Sequence, residues 1–434
     1  MRKVKIATIC FLGCAAVCLC AMLYMALSSG GAFFQGGGRV TVEGDGAEIS
    51  FWENGQNYKM VLEKEVDPEE IGSLKIDYGM TLNSVLFYEG EGDKIVIREF
   101  MNYDPGKQGI SLVELKNGEL VVRGVRKNYF SFFSFRPRNA YTEVYLPAGF
   151  AERLGGLYVK TVSGDIASEI PFGPEGDFTV SSTSGDIFFR NTGADKIQVS
   201  STSGDIRMLA AQADEVSVSS TSGDIILGSA EGSTMMSSVS GNITVNDLKG
   251  DGKFTSTSGD IFLENVTGRL NITTTSGDVS LGQVAGDMNI STTSGETRIG
   301  KAVGNLDADT ISGDIVADVL EGEFQTDSTS GEVAILGGSG CGRADTISGD
   351  VRIFLGGLTG ALEVSTTSGD VDVMLPGAGS YALDFDSASG SCDTFFDDVL
   401  TFSKKGNQAR GKYGTGEHAV SVSTVSGSLQ IGEY

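Results

Sequence analysis

Residues Gly250 to Gly304 read GDGKFTSTSGDIFLENVTG, RLNITTTSGDVSLGQVAG and DMNISTTSGETRIGKAVG. Each of these consecutive copies contains Thr-Ser-Gly followed by an acidic residue, and each ends on a second glycine nine residues after the first. Similar segments at a fixed period are the signature of a protein built by stacking one structural unit. The repeat therefore takes precedence over any local prediction of secondary structure.

The glycine of the Ser-Gly pair recurs fourteen times along the chain. From Gly223 to Gly349 every interval is 18 residues, whereas outside this window the intervals are 19, 20 or 21, with one of 37. Insertions at the two ends are expected because terminal repeats differ from inner ones. The fourteen glycines are Gly164, Gly185, Gly204, Gly223, Gly241, Gly259, Gly277, Gly295, Gly313, Gly331, Gly349, Gly369, Gly390 and Gly427.

Apolar residues alternate within each repeat. Around Gly277, Leu270 and Ile272 precede the glycine and Val279 and Leu281 follow it, each pair at a spacing of two residues. This period is typical of short half-buried strands rather than helices, and the glycines permit turns that a side chain would hinder. Stacking such units as parallel strands would bury the aliphatic residues. The sequence predicts an all-β fold, a parallel β-helix of about fourteen coils with repeats of about 18 residues.

The overall composition agrees with a solenoid and limits its partners. The 434 residues include 61 Gly but only 7 Pro, and 40% of them are hydrophobic. High glycine combined with a sequence period favours a turn-rich β-solenoid over disorder. The net charge of −25 at pH 7 argues against binding to nucleic acid.

The N-terminal segment predicts a membrane anchor. Residues 1–5 (MRKVK) are a basic cytoplasmic flank, residues 6–29 contain no charged side chain, and residues 30–38 (GGAFFQGGG) resemble a flexible linker. A helix over 6–29 would span roughly 36 Å, enough for a hydrocarbon core of about 30 Å. We predict a single-pass signal anchor in the cell membrane with the C-terminal body extracellular. The alternative is a cleaved signal peptide with Ala26-Leu27-Ser28 as the processing site.

Three regions follow the linker. Residues 39–150 alternate as strands and predict a β-rich N-terminal cap, residues 151–375 hold the regular repeats, and residues 376–434 hold irregular C-terminal coils and a second cap. An aromatic and basic run lies late in the first region. It either closes the open end of the core or forms an exposed ligand patch that stacks on sugar or protein. The residues of this patch are Arg126, Tyr129, Phe130, Phe132, Phe133, Phe135 and Arg136.

An acidic residue follows most of the repeat glycines. In register these carboxylates would stack about every 4.8 Å and repel one another. Solvent and salt, hydrogen bonds from backbone N–H groups or bound cations must offset this repulsion. Aspartate after glycine ordinarily accepts hydrogen bonds from backbone N–H groups in turns, which is the interpretation we favour, and no cofactor is then needed. Calcium is the alternative, because the oxygen ligands are closely spaced, although the GGxGxD calcium repeat is absent. The calcium candidates are Asp260, Asp278, Asp314, Asp350 and Asp370.

Catalytic motifs are missing from the sequence. His418 is the only histidine, which excludes a His-cluster metal site and leaves little for a Ser-His-Asp triad. No GxSxG elbow, HExxH, Walker loop or dinucleotide fingerprint occurs. A carbohydrate-cleaving β-helix would need a pair of carboxylates that interrupts the repeat, and no inner coil carries one. We predict a non-enzymatic protein, and a carbohydrate-active enzyme is the least favoured interpretation.

These motifs together carry a resemblance to a family. The repeated T-x-S-G-D-[IV], the lead-in EVYLPAGFAERLGGLYVKTVSGDI from Glu143 to Ile166, and the ending GKYGTGEHAVSVSTVSGSLQI resemble the bacterial DUF4097 family. Members are described as candidate adhesins with a β-strand repeat on the outside of the cell, and some are linked to envelope stress. The resemblance implies an adhesin-like envelope protein that binds a cell-surface glycan or an envelope protein. The alternative that it implies is an envelope-stress regulatory component acting on a membrane partner through residues 1–38.

Overall fold

In the computed structural model, strands are the main secondary structure of the described residues. The described residues form 36 strands and two short 3-10 helices, Pro68–Glu70 and Asp397–Val399. Of these strands, 34 belong to one continuous sheet that winds as a parallel solenoid. This confirms the predicted all-β parallel β-helix. The structure describes residues 39–43, 46–50, 58–79, 81–106, 109–125, 139–173 and 175–434.

Each regular coil has one strand before the Ser-Gly turn and one after it. In the coil of Gly277, Leu270 and Ile272 precede the turn and Val279 and Leu281 follow it, and all four side chains are buried as predicted. Equivalent strands of neighbouring coils pair in parallel and in register, so each inward position becomes a column of apolar side chains.

The strands of the solenoid body follow one another without a long connection. They are β10 (Leu157–Lys160), β11 (Ile166–Ser168), β12 (Asp177–Ser181), β13 (Ile187–Gly193), β14 (Lys196–Ser200), β15 (Ile206–Ser219), β16 (Ile225–Ser238), β17 (Ile243–Lys249), β18 (Gly252–Ser256), β19 (Ile261–Thr267), β20 (Leu270–Thr274), β21 (Val279–Ala285), β22 (Met288–Thr292), β23 (Thr297–Val303), β24 (Leu306–Thr310), β25 (Ile315–Ser328), β26 (Val333–Ile335), β27 (Gly338–Ser348), β28 (Val351–Phe354), β29 (Gly357–Ser368) and β30 (Val371–Leu375).

The solenoid has about eleven turns, fewer than the fourteen predicted. The predicted number was wrong, and so was the assumption behind it that the coils stack in the order of the chain. The strands on either side of Gly427, for example, pair with those around Gly369 on one side and with those around Gly390 on the other.

The region 39–150 precedes the solenoid body in the sequence. Its strands are β1 (Arg39–Glu43), β2 (Gly46–Ser50), β3 (Lys59–Val66), β4 (Ser73–Asp77), β5 (Asn83–Gly90), β6 (Ile95–Met101), β7 (Leu112–Lys116), β8 (Glu119–Arg123) and β9 (Ala140–Pro147).

The first coil in the sequence lies inside the stack rather than at its tip. Strands β4 and β5 pair with β10 and β11 on one side and with β8 and β9 on the other. Antiparallel strands complete this end, since β7 pairs with β8, β6 with β9 and β3 with β6. The region 39–150, predicted as a cap, therefore also supplies coils of the solenoid.

Six strands form the C-terminal end. They are β31 (Tyr381–Ser387), β32 (Cys392–Thr394), β33 (Leu400–Phe402), β34 (Gln408–Tyr413), β35 (His418–Ser426) and β36 (Leu429–Glu433).

The last coil in the sequence is the last but one in space. Strands β35 and β36 pair with β29 and β30 on one side and with β31 and β32 on the other. Beyond them β34 pairs antiparallel with β31, and β33 pairs antiparallel with β34. This return path explains the interval of 37 residues between Gly390 and Gly427.

Two parts of the sequence-based prediction fall outside the described residues. The segment 1–38, with the predicted flank 1–5, membrane anchor 6–29 and linker 30–38, is one of them, and the aromatic patch of residues 126–136 is the other. Among the residues that the structure does describe, no helix has the length and apolar character needed to cross a bilayer. Both the anchor and the patch stay predictions.

Candidate functional site

The aspartates that follow the Ser-Gly pairs form a ladder along one edge of the solenoid, partly buried at its first member, Asp165, and exposed at the calcium candidates. Asp260 Oδ1 accepts a hydrogen bond from the backbone N–H of Asp278 at 2.9 Å, and Asp278 Oδ1 accepts one from Glu296 at 2.9 Å. The remaining calcium candidates make the same bond to the next coil, namely Asp314, Asp350 and Asp370. The predicted acceptance of backbone N–H groups is confirmed, although each bond joins two coils rather than closing a single turn.

The calcium hypothesis depends on carboxylates that come together in groups. Within the part of the chain that the structure describes, no group of three or more His, Cys, Asp or Glu side chains is placed to hold a metal ion. Calcium binding along the ladder therefore stays a prediction.

The ladder makes a testable contribution to stability. Asp278→Ala should lower the free energy of unfolding by about 1 kcal/mol, since the Glu296 N–H loses its acceptor. Asp278→Asn should retain most of the stability, because Asn242 occupies the same column and accepts the Asp260 N–H at 2.9 Å. Urea unfolding followed by circular dichroism measures both variants. Wild-type stability of the alanine variant would show that the ladder contributes nothing.

The hydroxyl groups three residues before the glycines are structural. The backbone N–H of Gly204 donates to Ser201 Oγ at 2.9 Å, and that of Gly277 donates to Thr274 Oγ1 at 3.1 Å. Both hydroxyl-bearing residues are buried. Thr275, in the column beside them, is exposed.

A second ladder lies where each coil begins, and it was not predicted. Asp251 Oδ1 accepts the backbone N–H of Arg269 at 3.1 Å, and Asp287 Oδ1 accepts that of Asn305 at 3.0 Å. Asn305 Oδ1 continues the series by accepting the Glu323 N–H at 3.0 Å. The signal was present in the sequence, because each of these residues directly follows the second glycine of a repeat.

A groove of about 1000 Å³ runs beside the second ladder. One wall is the ladder itself, and the other is a row of outward side chains two residues further along each coil. Between the walls lies the backbone of residues such as Leu270 and Met288, whose side chains are buried. We call this feature the polar groove. Its second wall consists of Met235, Lys253, Asn271, Asn289, Asp307, Gln325, Arg343 and Glu363.

Some of the charged and polar side chains of the polar groove interact with one another or with neighbouring residues. Arg269 lies 3.5 Å from Asp251, and Arg343 forms an ion pair with Asp345. Asn289 Nδ2 donates to Asp307 Oδ2 at 3.3 Å. The lining contains five acidic and three basic side chains, so the groove offers hydrogen-bond donors and acceptors and carries charges of both signs.

A buried polar network fixes the N-terminal end. Asn83 Nδ2 donates to Glu99 Oε1 at 2.9 Å, the Ser111 N–H donates to Glu99 Oε2 at 2.9 Å, and the hydroxyls of Tyr78 and Thr142 lie 2.7 Å apart. Burial raises the pKa of the Glu99 carboxyl group above its usual value. Because Glu99 is fully buried, this network joins the end strands and is not open to a ligand.

The first member of the aspartate ladder predicts a pH dependence. Burial raises the pKa of Asp165 to about 6; the hydrogen bond from the Asp186 N–H opposes this increase, and the charge of the Asp186 carboxylate adds to it. The folded state then binds a proton more tightly than the unfolded state, so stability should increase as pH falls through about 6 and decrease again as pH rises. Thermal melting between pH 8 and pH 4.5 measures this dependence.

Asp165→Asn provides the control for the pH dependence. The carboxamide can still accept the Asp186 N–H, which Asp165 Oδ1 accepts at 3.0 Å, but it does not titrate. Burial shifts the pKa values of Asp186 and Glu99 in the same direction, so the variant should retain part of the dependence. Identical pH profiles for wild type and variant would contradict the assignment to Asp165.

The fold and its ladders define a class: a parallel β-solenoid that displays repeated side-chain columns along a rigid body. The family model described as Toastrack DUF4097 matches residues 74–281, 234–335 and 269–432, so the chain belongs to this family, as its motifs predicted. No curated protein matches the chain significantly. A solved structure from Clostridium sporogenes ATCC 15579, described as a "putative cell adhesion protein", matches at 12% identity over 87% of this chain and 100% of that chain, with a TM-score of 0.17.

Proposed function

We propose that this chain is a non-enzymatic, adhesin-like binding protein of the bacterial envelope. Residues 6–29 would hold it in the cell membrane, with the solenoid outside the cell. The observation that carries the proposal is the repetition of exposed columns in register over successive coils. Stacked repeats of this kind are used to present extended binding surfaces.

The hydrogen bonds that the ladder carboxylates accept support a binding function rather than catalysis. A glycosidase needs one carboxyl group that donates a proton and a second that acts as base or nucleophile. In the aspartate ladder the carboxylates instead accept backbone N–H groups of the next coil, as Asp260 and Asp314 do. Side chains committed in this way hold the coils together.

The partner that we propose is a cell-surface glycan or another envelope protein. The exposed columns are rich in hydroxyl, carboxylate and carboxamide groups, which form hydrogen bonds with polar polymers. The chain's net charge of −25 would keep the solenoid away from an anionic membrane surface. The solenoid would then project from the cell rather than lie on it.

Protease treatment of intact cells tests the topology. Cells that express the full chain should release the solenoid after cleavage in the linker 30–38, whereas a cytoplasmic marker should stay intact. Adherence of these cells to envelope material, compared with cells that lack the protein, tests the binding role. A solenoid that is protected in intact cells would overturn the proposal. A surface-exposed solenoid that binds nothing, with a stress response that depends on 6–29, would favour the regulatory alternative.

A further inference from the structure

The length of the polar groove matches a polymer rather than a small molecule. Its lining residues recur once per coil from Ser233 to Ala361, which makes eight coils. At about 4.8 Å per coil the groove extends over about 34 Å. Both walls run parallel to the solenoid axis, so an extended chain could contact every coil in the same way.

The chemistry of the walls favours an uncharged ligand rich in hydroxyl groups. Carboxamides occupy the centre of the groove at Asn271, Asn289, Asn305 and Gln325. Each carboxamide has both a donor and an acceptor, which suits hydroxyl groups that also donate and accept. A polyanion would meet carboxylates such as Asp287, and a polycation would meet basic side chains such as Lys253. Neither kind of charged polymer is complementary to the whole groove.

The pairing of the strands separates a glycan from a peptide. The strands under the polar groove are paired on both sides, as β20 is with β18 and β22, so an extended peptide finds no free strand edge for its backbone hydrogen bonds. A glycan chain bonds through its hydroxyl groups, which side-chain donors and acceptors can satisfy without such an edge. We propose that the polar groove binds an uncharged glycan chain in extended form, with its axis along the solenoid. This inference rests on the proposed function and assigns it a site.

Titration calorimetry with the purified full chain tests the inference. The probes are the β-1,4-linked hexasaccharides of glucose, mannose, xylose and N-acetylglucosamine, and maltohexaose is the control because its α-linkages prevent a fully extended chain. At least one extended probe should bind more tightly than maltohexaose. Affinity should rise with chain length up to about six sugars, since longer chains contact more coils.

Two double variants on the same strands locate the site. Asn271→Ala with Asn289→Ala removes two central carboxamides from β20 and β22 and should weaken binding about tenfold. Thr273→Ala with Ser291→Ala changes exposed residues of the same strands outside the groove and should leave binding unchanged.

The possible outcomes distinguish a failure of the groove assignment from a failure of the proposed function. Binding that is equal in the two double variants, or no binding of any extended hexasaccharide, would overturn the groove assignment. If the full chain still bound envelope material in that case, the proposed function would stand. If an extended peptide bound the groove instead, the ligand class would be wrong. If the full chain bound no envelope material at all, both proposals would fail.

Discussion

Gly277→Ala is expected to destabilise the solenoid by about 3 kcal/mol or more. A Cβ atom at this position would lie 2.1 Å from the carbonyl oxygen of Gly259 and 2.7 Å from its carbonyl carbon. Both contacts are with backbone, so no side chain can rotate away to relieve them. The two coils would have to separate, which would stretch the hydrogen bond from the Asp278 N–H to Asp260 Oδ1.

Gly92→Ala provides the matched control for this substitution. A Cβ atom at Gly92 would have no heavy atom within 4 Å, so the variant should remain within about 0.5 kcal/mol of wild type. Urea unfolding and thermal melting of the two variants measure the difference. Equal stability would mean that neighbouring coils can separate at little cost and that the turn glycines are not required by packing.

The fold of the body was predictable because every coil repeats the same pattern of buried residues and the same turn. Alternating residues such as Ile272 and Val279 must point inward, and repetition in register makes each inward position a column. The glycine column was predictable for the same reason, since the turn recurs unchanged. Ordinary turn chemistry predicted that residues such as Asp278 accept backbone N–H groups, but it did not predict that the donor belongs to the next coil.

The order in which the coils stack at the two ends of the solenoid was not predictable from the local sequence pattern. Every coil has the same alternation, so the pattern does not specify which coil follows which in space. The insertion of β4 and β5 between β8–β9 and β10–β11 depends on pairing between distant parts of the chain. At the C-terminal end only the 37-residue interval before Gly427 indicated an unusual connection.

The polar groove also escaped the sequence analysis. The residues of each wall differ from coil to coil, as Asp251 and Arg269 show on one wall and Lys253 and Asn271 on the other, so no repeated motif marks them. What they share is a position relative to the second glycine of each repeat. That position becomes a wall only when the coils are stacked.

Val420→Asn should be as damaging as the turn-glycine substitution, for a different reason. Val420 is buried in the inserted strand β35 and pairs in register with Leu362 on one side and Leu383 on the other. A carboxamide there would lack hydrogen-bond partners between two apolar neighbours, and apolar contacts would be lost. We expect a loss of about 3 kcal/mol. Ser421→Asn places the same side chain on the exposed face of the same strand and should have little effect.

The pattern of unfolding in Val420→Asn tests the inserted position of β35 and β36. Because these strands join the coil of β29 and β30 to that of β31 and β32, weakening them should release residues 376–434 together. In a hydrogen-exchange experiment the backbone amides of β31 and β34, as well as those of β35, should then lose their protection. The amides of β18 to β24 should stay protected, since each coil depends mainly on its neighbours. Loss of protection in 418–433 alone would mean that this coil lies at the tip and that β31 pairs elsewhere.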